Sequence, residues 1–188
     1  EISAKKDEIA SIIEKESTAK SSIPNTTKAT SGMVSYSSYI INTMPIGNNV
    51  NGTCGSVAAG MMLTCLDNKV YGIGNVVPLA QPYGESLHQS LIPYCEGLLG
   101  STPDSVASGI NDWLYWNSIQ YENFNPSITA HCFYAIWGPF AHSSIDNNKT
   151  CVIAITRILG SPHGDHQVMA FGYYQLLSEE YFNVHLGW

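Results

Sequence analysis

Gly47-Asn48-Asn49-Val50-Asn51-Gly52-Thr53-Cys54-Gly55-Ser56-Val57-Ala58-Ala59-Gly60-Met61-Met62-Leu63-Thr64-Cys65-Leu66-Asp67-Asn68 is the stretch that sets the fold. A polar loop rich in Gly and Asn gives way at Thr53 to small and apolar residues from Cys54 to Leu66, without an internal proline, before Asp67-Asn68 ends the run. That length and composition predict a buried helix with Cys54 at its N-terminus. A thiol there meets the positive end of the helix dipole and unpaired backbone N–H groups, which favour thiolate. The same N–H groups are placed to hold a developing oxyanion. The other use of such a residue is as a small buried core side chain.

Upstream, Val34, Tyr36 and Tyr39-Ile40-Ile41 predict an extended entry segment ended by Pro45. Downstream, a second helix is expected over 85–99. A third is expected with Ser101 or Thr102 as cap, Pro103 in its first turn, and Val106, Ile110, Trp113 and Leu114 on one stripe. The period then changes. Cys151 to Ile155 predicts a strand buried on both faces, His166 to Tyr174 a second strand, and Tyr181 to Leu186 a third, with 175–180 closing a hairpin. Helices first and strands afterwards predict an α+β fold.

Composition narrows the partners. The chain has 188 residues and a net charge of −7, with five of its eight cations (Lys5, Lys6, Lys15, Lys20, Lys28) before residue 29. The remaining body carries Lys69, Lys149 and Arg157 against ten acids, and so lacks the basic footprint that phosphate backbones require. Nucleic acid and anionic membrane surfaces are excluded as partners, and no apolar run approaches a membrane span. Residues 1–31 form a separate unit: Ile9, Ile12 and Ile13 predict a short amphipathic helix, and a Ser/Thr/Lys-rich linker follows. This unit reads as a frayed extension, an arm packed on the body, or a pro-segment remnant, with the main domain spanning 32–188. The start at Glu1 is expected of a trimmed chain or of signal cleavage, and the body, poor in Lys and rich in Ser, Asn, Tyr and Gly, points to a secreted or cell-envelope protein.

A thiolate nucleophile needs a base. His166 stands at the start of a predicted strand, at the rim of the sheet, where it can face a helix N-terminus. On the last strand Asn183 and His185 share one face and supply the candidates for a group that orients the imidazole. His163 and His166 form an HxxH pair, but residues three apart in a strand face opposite ways; the pair chelates only if the segment is a turn, which Pro162 and Gly164 allow, and no metal is expected. The five cysteines contain no CxxC pair.

Three motifs in this order resemble the papain-like cysteine peptidases, nearest to the bacterial C39-like group. Cys54-Gly55-Ser56 opening an Ala-rich helix is similar to the nucleophile helix. Asp165-His166 before an apolar strand ending Phe171-Gly172-Tyr173 is similar to the histidine strand. Tyr181-Phe182-Asn183-Val184-His185-Leu186-Gly187-Trp188 is similar to the strand of the orienting residue. The likeness covers roughly residues 45–188. It implies a papain-like fold with a helical half packed against an antiparallel sheet, and a cysteine peptidase acting through a thioester acyl-enzyme on peptide or protein substrates without a cofactor. Carried onto this chain, Cys54 is the nucleophile, His166 the base, His185 (or Asn183) the orienting group, and Asn48 the side-chain donor of the oxyanion hole. Two positions depart from the family pattern: Asn48 stands where a glutamine is usual, and His185 where an asparagine is usual. The alternatives are an amidase or acyltransferase on the same scaffold, and a catalytically silent domain that binds peptides.

Overall fold

The computed structural model describes residues 30–47, 52–96, 101–126, 128–132, 139–155, 166–176 and 179–187. The expected helix over residues 5–15 and most of the expected linker lie outside them, as do Asn48, His163, Asp165 and Trp188. Strand β1 (Thr30–Met33) is followed by helices α1 (Ser37–Asn42), α2 (Cys54–Cys65), α3 (Glu85–Cys95), α4 (Pro103–Gln120) and α5 (Pro139–Asp146). Strands β2 (Cys151–Ile155), β3 (His166–Leu176) and β4 (Glu179–His185) complete the order. The class is α+β. No described helix is long and apolar enough to cross a membrane.

Helix α2 is the axis of the molecule. Ten of its twelve residues are buried, and it shows no polar face. A helix apolar all round must be covered all round. Ala59 and Leu63 belong to a helical core with Leu87 and Leu91 of α3 and with Val106, Ile110 and Trp113 of α4. Val57, Met61 and Cys65 belong to a second core with Ile40 of α1 and with Met169, Ala170 and Phe171 of β3. The helix is thus the shared wall between a helical layer and the sheet. At its C-terminal end the chain continues as a π-helical turn (Leu66–Tyr71). The buried Asp67 carboxylate organises the loop beyond, accepting from Val76 N at 2.6 Å, Gly74 N at 3.0 Å and Tyr83 Oη at 2.6 Å.

The sheet is antiparallel and centred on β3. Strand β4 pairs with residues 169–176 of β3, β2 with 166–170 and β1 with 172–175. The overlaps put β1 and β2 end to end along one edge of β3, with β4 along the other. Strands β3 and β4 form the expected hairpin, but they run further into it than expected: Gln175 pairs with Glu180 and Leu176 with Glu179, inside the stretch 175–180 read as the connection. Helix α5 is tied to the sheet where His142 stacks on Tyr173 at 3.7 Å and Tyr173 Oη donates to Asp146 Oδ1 at 3.0 Å.

Several expectations are corrected. The Tyr39-Ile40-Ile41 stretch is helical, because one turn of helix sinks Ile40 into the sheet-side core at 1% exposure. Strand β2 is not buried on both faces; among the described residues it pairs with β3 alone, and its last two residues are exposed. Helix α3 ends at Cys95 rather than residue 99, and Glu96 is its extended C-cap. Helix α4 takes Thr102 as its cap in a reciprocal pair with Ser105, with Pro103 at its first position. Thr30 and Ser31, read as the end of the linker, pair with Gln175 and Tyr174 as part of β1.

Candidate functional site

Cys54 is the first residue of α2 and is partly exposed. Cys65, Cys95 and Cys151 differ from it in kind. Burial pushes each of those three thiols up to about 12, so they stay protonated and inert at neutral pH. Among the described residues, Cys54, Cys65, Cys95 and Cys151 form no disulfide.

The start of β3 comes to the same helix end. Gln167, the neighbour of His166, donates through Nε2 to Ser101 Oγ at 3.1 Å. That same Ser101 side chain fills the space where a Cβ on Gly55 would stand, so Gly55 can only be glycine while Ser101 keeps its place. The residue after Cys54 and the residue after His166 therefore touch one side chain. The chain leaving β4 closes the third side: Gly187, at φ +86°, packs so tightly that a Cβ there would lie 2.7 Å from Val57 Cγ1.

The His166 ring has a defined tautomer. Its Nε2 lies 3.2 Å from the carbonyl oxygen of Leu186. A carbonyl can only accept, so Nε2 donates to it, and in the neutral ring the lone pair then falls to Nδ1. The acceptor at this nitrogen is the main chain of Leu186, one residue beyond the side chain expected there. His185 turns instead to its own strand end, accepting at Nδ1 from Gly187 N at 3.1 Å. Burial holds its pKa below the ordinary 6.5, which favours the neutral ring. Asn183 is exposed and pairs with Gly172, six residues along β3 from His166, or roughly 20 Å at the usual rise of a strand. The register separates it from the His166 end. Asn48 lies outside the described residues.

Three polar contacts at this end carried no signal in the sequence reading. Ser56 donates from N at 2.9 Å and from Oγ at 2.6 Å to Glu96 Oε1. His88, on α3 and 1% exposed, places Nε2 at 3.2 Å from Thr53 Oγ1. Ser101 and Gln167 form the bridge already described. Each contact joins residues at least 35 apart, where local pattern is silent.

On α4, Trp113 is buried while Tyr115 and Trp116 are exposed. Tyr115 lines a groove of about 430 Å³ with Asn111, Leu114, Ser118 and Asn125, along the second half of α4. Comparison with protein-family models, with curated proteins and with solved structures finds no match for this chain.

Proposed function

We propose that the chain is a papain-like cysteine peptidase. The reading is supported above all by one observation: Gly55 beside Cys54 and Gln167 beside His166 meet at the single side chain of Ser101, so the helix that starts at Cys54 and the strand that starts at His166 converge. Such convergence of a helix-terminal thiol and a strand-terminal imidazole is what a Cys–His pair requires.

In this reading Nδ1 of His166 takes the thiol proton as Cys54 Sγ attacks the substrate carbonyl carbon. The carbonyl π electrons move to oxygen, and the Cys54 N–H with Asn48 hold the oxyanion. Collapse breaks the C–N bond, the imidazolium returns its proton to the leaving amine, and a thioester remains. Water then gives a proton to Nδ1 and adds to the thioester. The second collapse frees the carboxylic acid, and the proton returns to the thiolate sulfur. The Leu186 carbonyl holds the Nε2–H throughout, and it suits the imidazolium as well as the neutral ring because it accepts from both. His185, which holds the Gly187 N–H, supports the segment that presents that carbonyl.

The test is hydrolysis of a denatured protein substrate, with adduct mapping by a peptide carrying a thiol-directed electrophile. The adduct is expected on Cys54. Cys54→Ala and His166→Ala are each expected to lower turnover by about 10⁴-fold or more, as removal of a catalytic unit does. Full turnover in Cys54→Ala would end the peptidase reading. Labelling of Cys54 without any hydrolysis would leave a silent peptide-binding domain.

A further inference from the structure

The turn that carries Cys54 is held in an uncommon way. A threonine at a helix N-cap ordinarily turns its hydroxyl to the backbone N–H three residues on. Thr53 makes no such bond. Its Oγ1 lies instead 3.2 Å from Nε2 of His88. The N–H that Thr53 leaves, that of Ser56, is taken by the Glu96 carboxylate, which also accepts the Ser56 hydroxyl. His88 sits near the start of α3 and Glu96 is its C-cap. One helix therefore grips the residue before Cys54 with one end and the second residue after it with the other.

The arrangement is expensive for a purely architectural contact. His88 is 1% exposed, and its Nδ1 is buried without a hydrogen bond among the described residues, with the Glu85 carboxylate 3.7 Å away. Glu96 Oε2 is likewise buried without a hydrogen bond among the described residues. Leucine at position 88 and a Thr53 cap bond would satisfy the helix more simply. A polar side chain kept at this cost is best explained by what it positions. Gly47, at the start of the loop leading to Cys54, also packs on the His88 side chain, where a Cβ would lie 2.5 Å from that of His88. His88 thus braces the loop on both of its ends.

We propose that α3 is a two-point clamp on the nucleophile turn, with His88 and Glu96 as positioning residues that fix the Cys54 sulfur and the Cys54 N–H for attack. This deepens the cysteine peptidase reading and rests on it for its kinetic arm. Misplacement of reacting groups by about 1 Å can cost on the order of 100-fold in rate. Loss of either grip should therefore appear in kcat and leave KM nearly unchanged, because the clamp touches no substrate.

The experiment uses the full chain and the variants Thr53→Val, His88→Ala, His88→Gln, Glu96→Ala and Glu96→Gln. Two readouts are taken: steady-state turnover of a peptide substrate, and backbone hydrogen exchange over residues 52–60. Thr53→Val, His88→Ala and Glu96→Ala should each lower kcat about 10- to 100-fold with KM within about threefold. Exchange in the first turn of α2 should quicken at least tenfold relative to its middle. Glu96→Gln, whose amide oxygen accepts the same two bonds, and His88→Gln, whose amide reaches Thr53, should recover most of both losses. The pair Thr53→Val with Glu96→Ala should lose less than the product of the single losses, because both act on one turn. Thr53→Val removes no more than a hydroxyl, so it decides the matter if an α3 variant fails to fold. Unchanged kcat and unchanged first-turn exchange in Thr53→Val would overturn the clamp, as would a loss in Glu96→Ala that Glu96→Gln does not recover. If the parent chain shows no turnover, the peptidase reading falls, and the exchange readout still upholds or overturns the clamp.

Discussion

At His166 the acceptor is a peptide carbonyl, Leu186 O at 3.2 Å, and a peptide carbonyl keeps its charge state at every working pH. A neighbouring histidine in that role would compete for protons with the ring it orients. The titratable ring of His185 is turned to Gly187 N instead, and burial lowers its pKa. The consequence falls on stability. Because the folded chain binds the His185 proton more weakly than the unfolded chain does, the neutral ring's contribution is fully present above the ordinary value of 6.5. It is lost progressively as pH falls from there through the lowered folded value. His185→Asn removes this contribution. Urea unfolding at pH 8 and pH 5 should show the parent losing more stability on acidification than the variant. Equal losses in both would mean that His185 titrates alike in the folded and unfolded chains.

Among the elements, the crossing of α3 and α4 depends on one missing methyl group. A Cβ on Gly109 of α4 would fall on the carbonyl oxygen of Tyr94, and Cys95 Cα would also be too close. Backbone cannot step aside as a flexible side chain can. Gly109→Ala should therefore cost about 2–3 kcal/mol by overpacking, against the gain of a few tenths to 1 kcal/mol that alanine gives in an unconstrained helix. Thermal unfolding by circular dichroism measures it, and an unchanged or raised midpoint would show that the helices separate freely. Which elements were legible follows from similar physics. Helix α2 stood out because its apolar run has no polar face, and α4 because Thr102 and Pro103 mark a start. The β3–β4 hairpin showed in two apolar runs about a short connection. Helix α1 did not, since Tyr39-Ile40-Ile41 has strand propensity and takes a helical turn only to bury Ile40. The places of Cys54 and His166, at the first residues of α2 and β3, were legible from the ends of the predicted elements. His88, Glu96 and the Leu186 carbonyl were not, because a contact across 35 or 40 residues and a main-chain acceptor leave no mark on local sequence.

For the whole molecule, the position of α2 between two cores makes one cooperative unit out of two layers. Leu63, fully buried, faces the helical core, and Met61, 2% exposed, faces the sheet. Truncating either to alanine should cost about 3 kcal/mol, the transfer of the lost atoms plus the cavity they leave. Were the layers independent, Leu63→Ala would loosen α4 and spare β3, and Met61→Ala would do the reverse. Because both residues stand on one helix whose burial needs both layers, either change should lower the protection of α4 and β3 amides together. Hydrogen exchange read at Ile110 and at Ala170 through a urea series should give coincident midpoints for parent and variants alike. Separate midpoints would divide the molecule at α2. The double variant sharpens the test. Its two sites lie on opposite faces and share few neighbours, so the losses should nearly add to about 6 kcal/mol. That approaches the whole stability of an ordinary domain, and the double variant should be largely unfolded in buffer, sheet and helices alike.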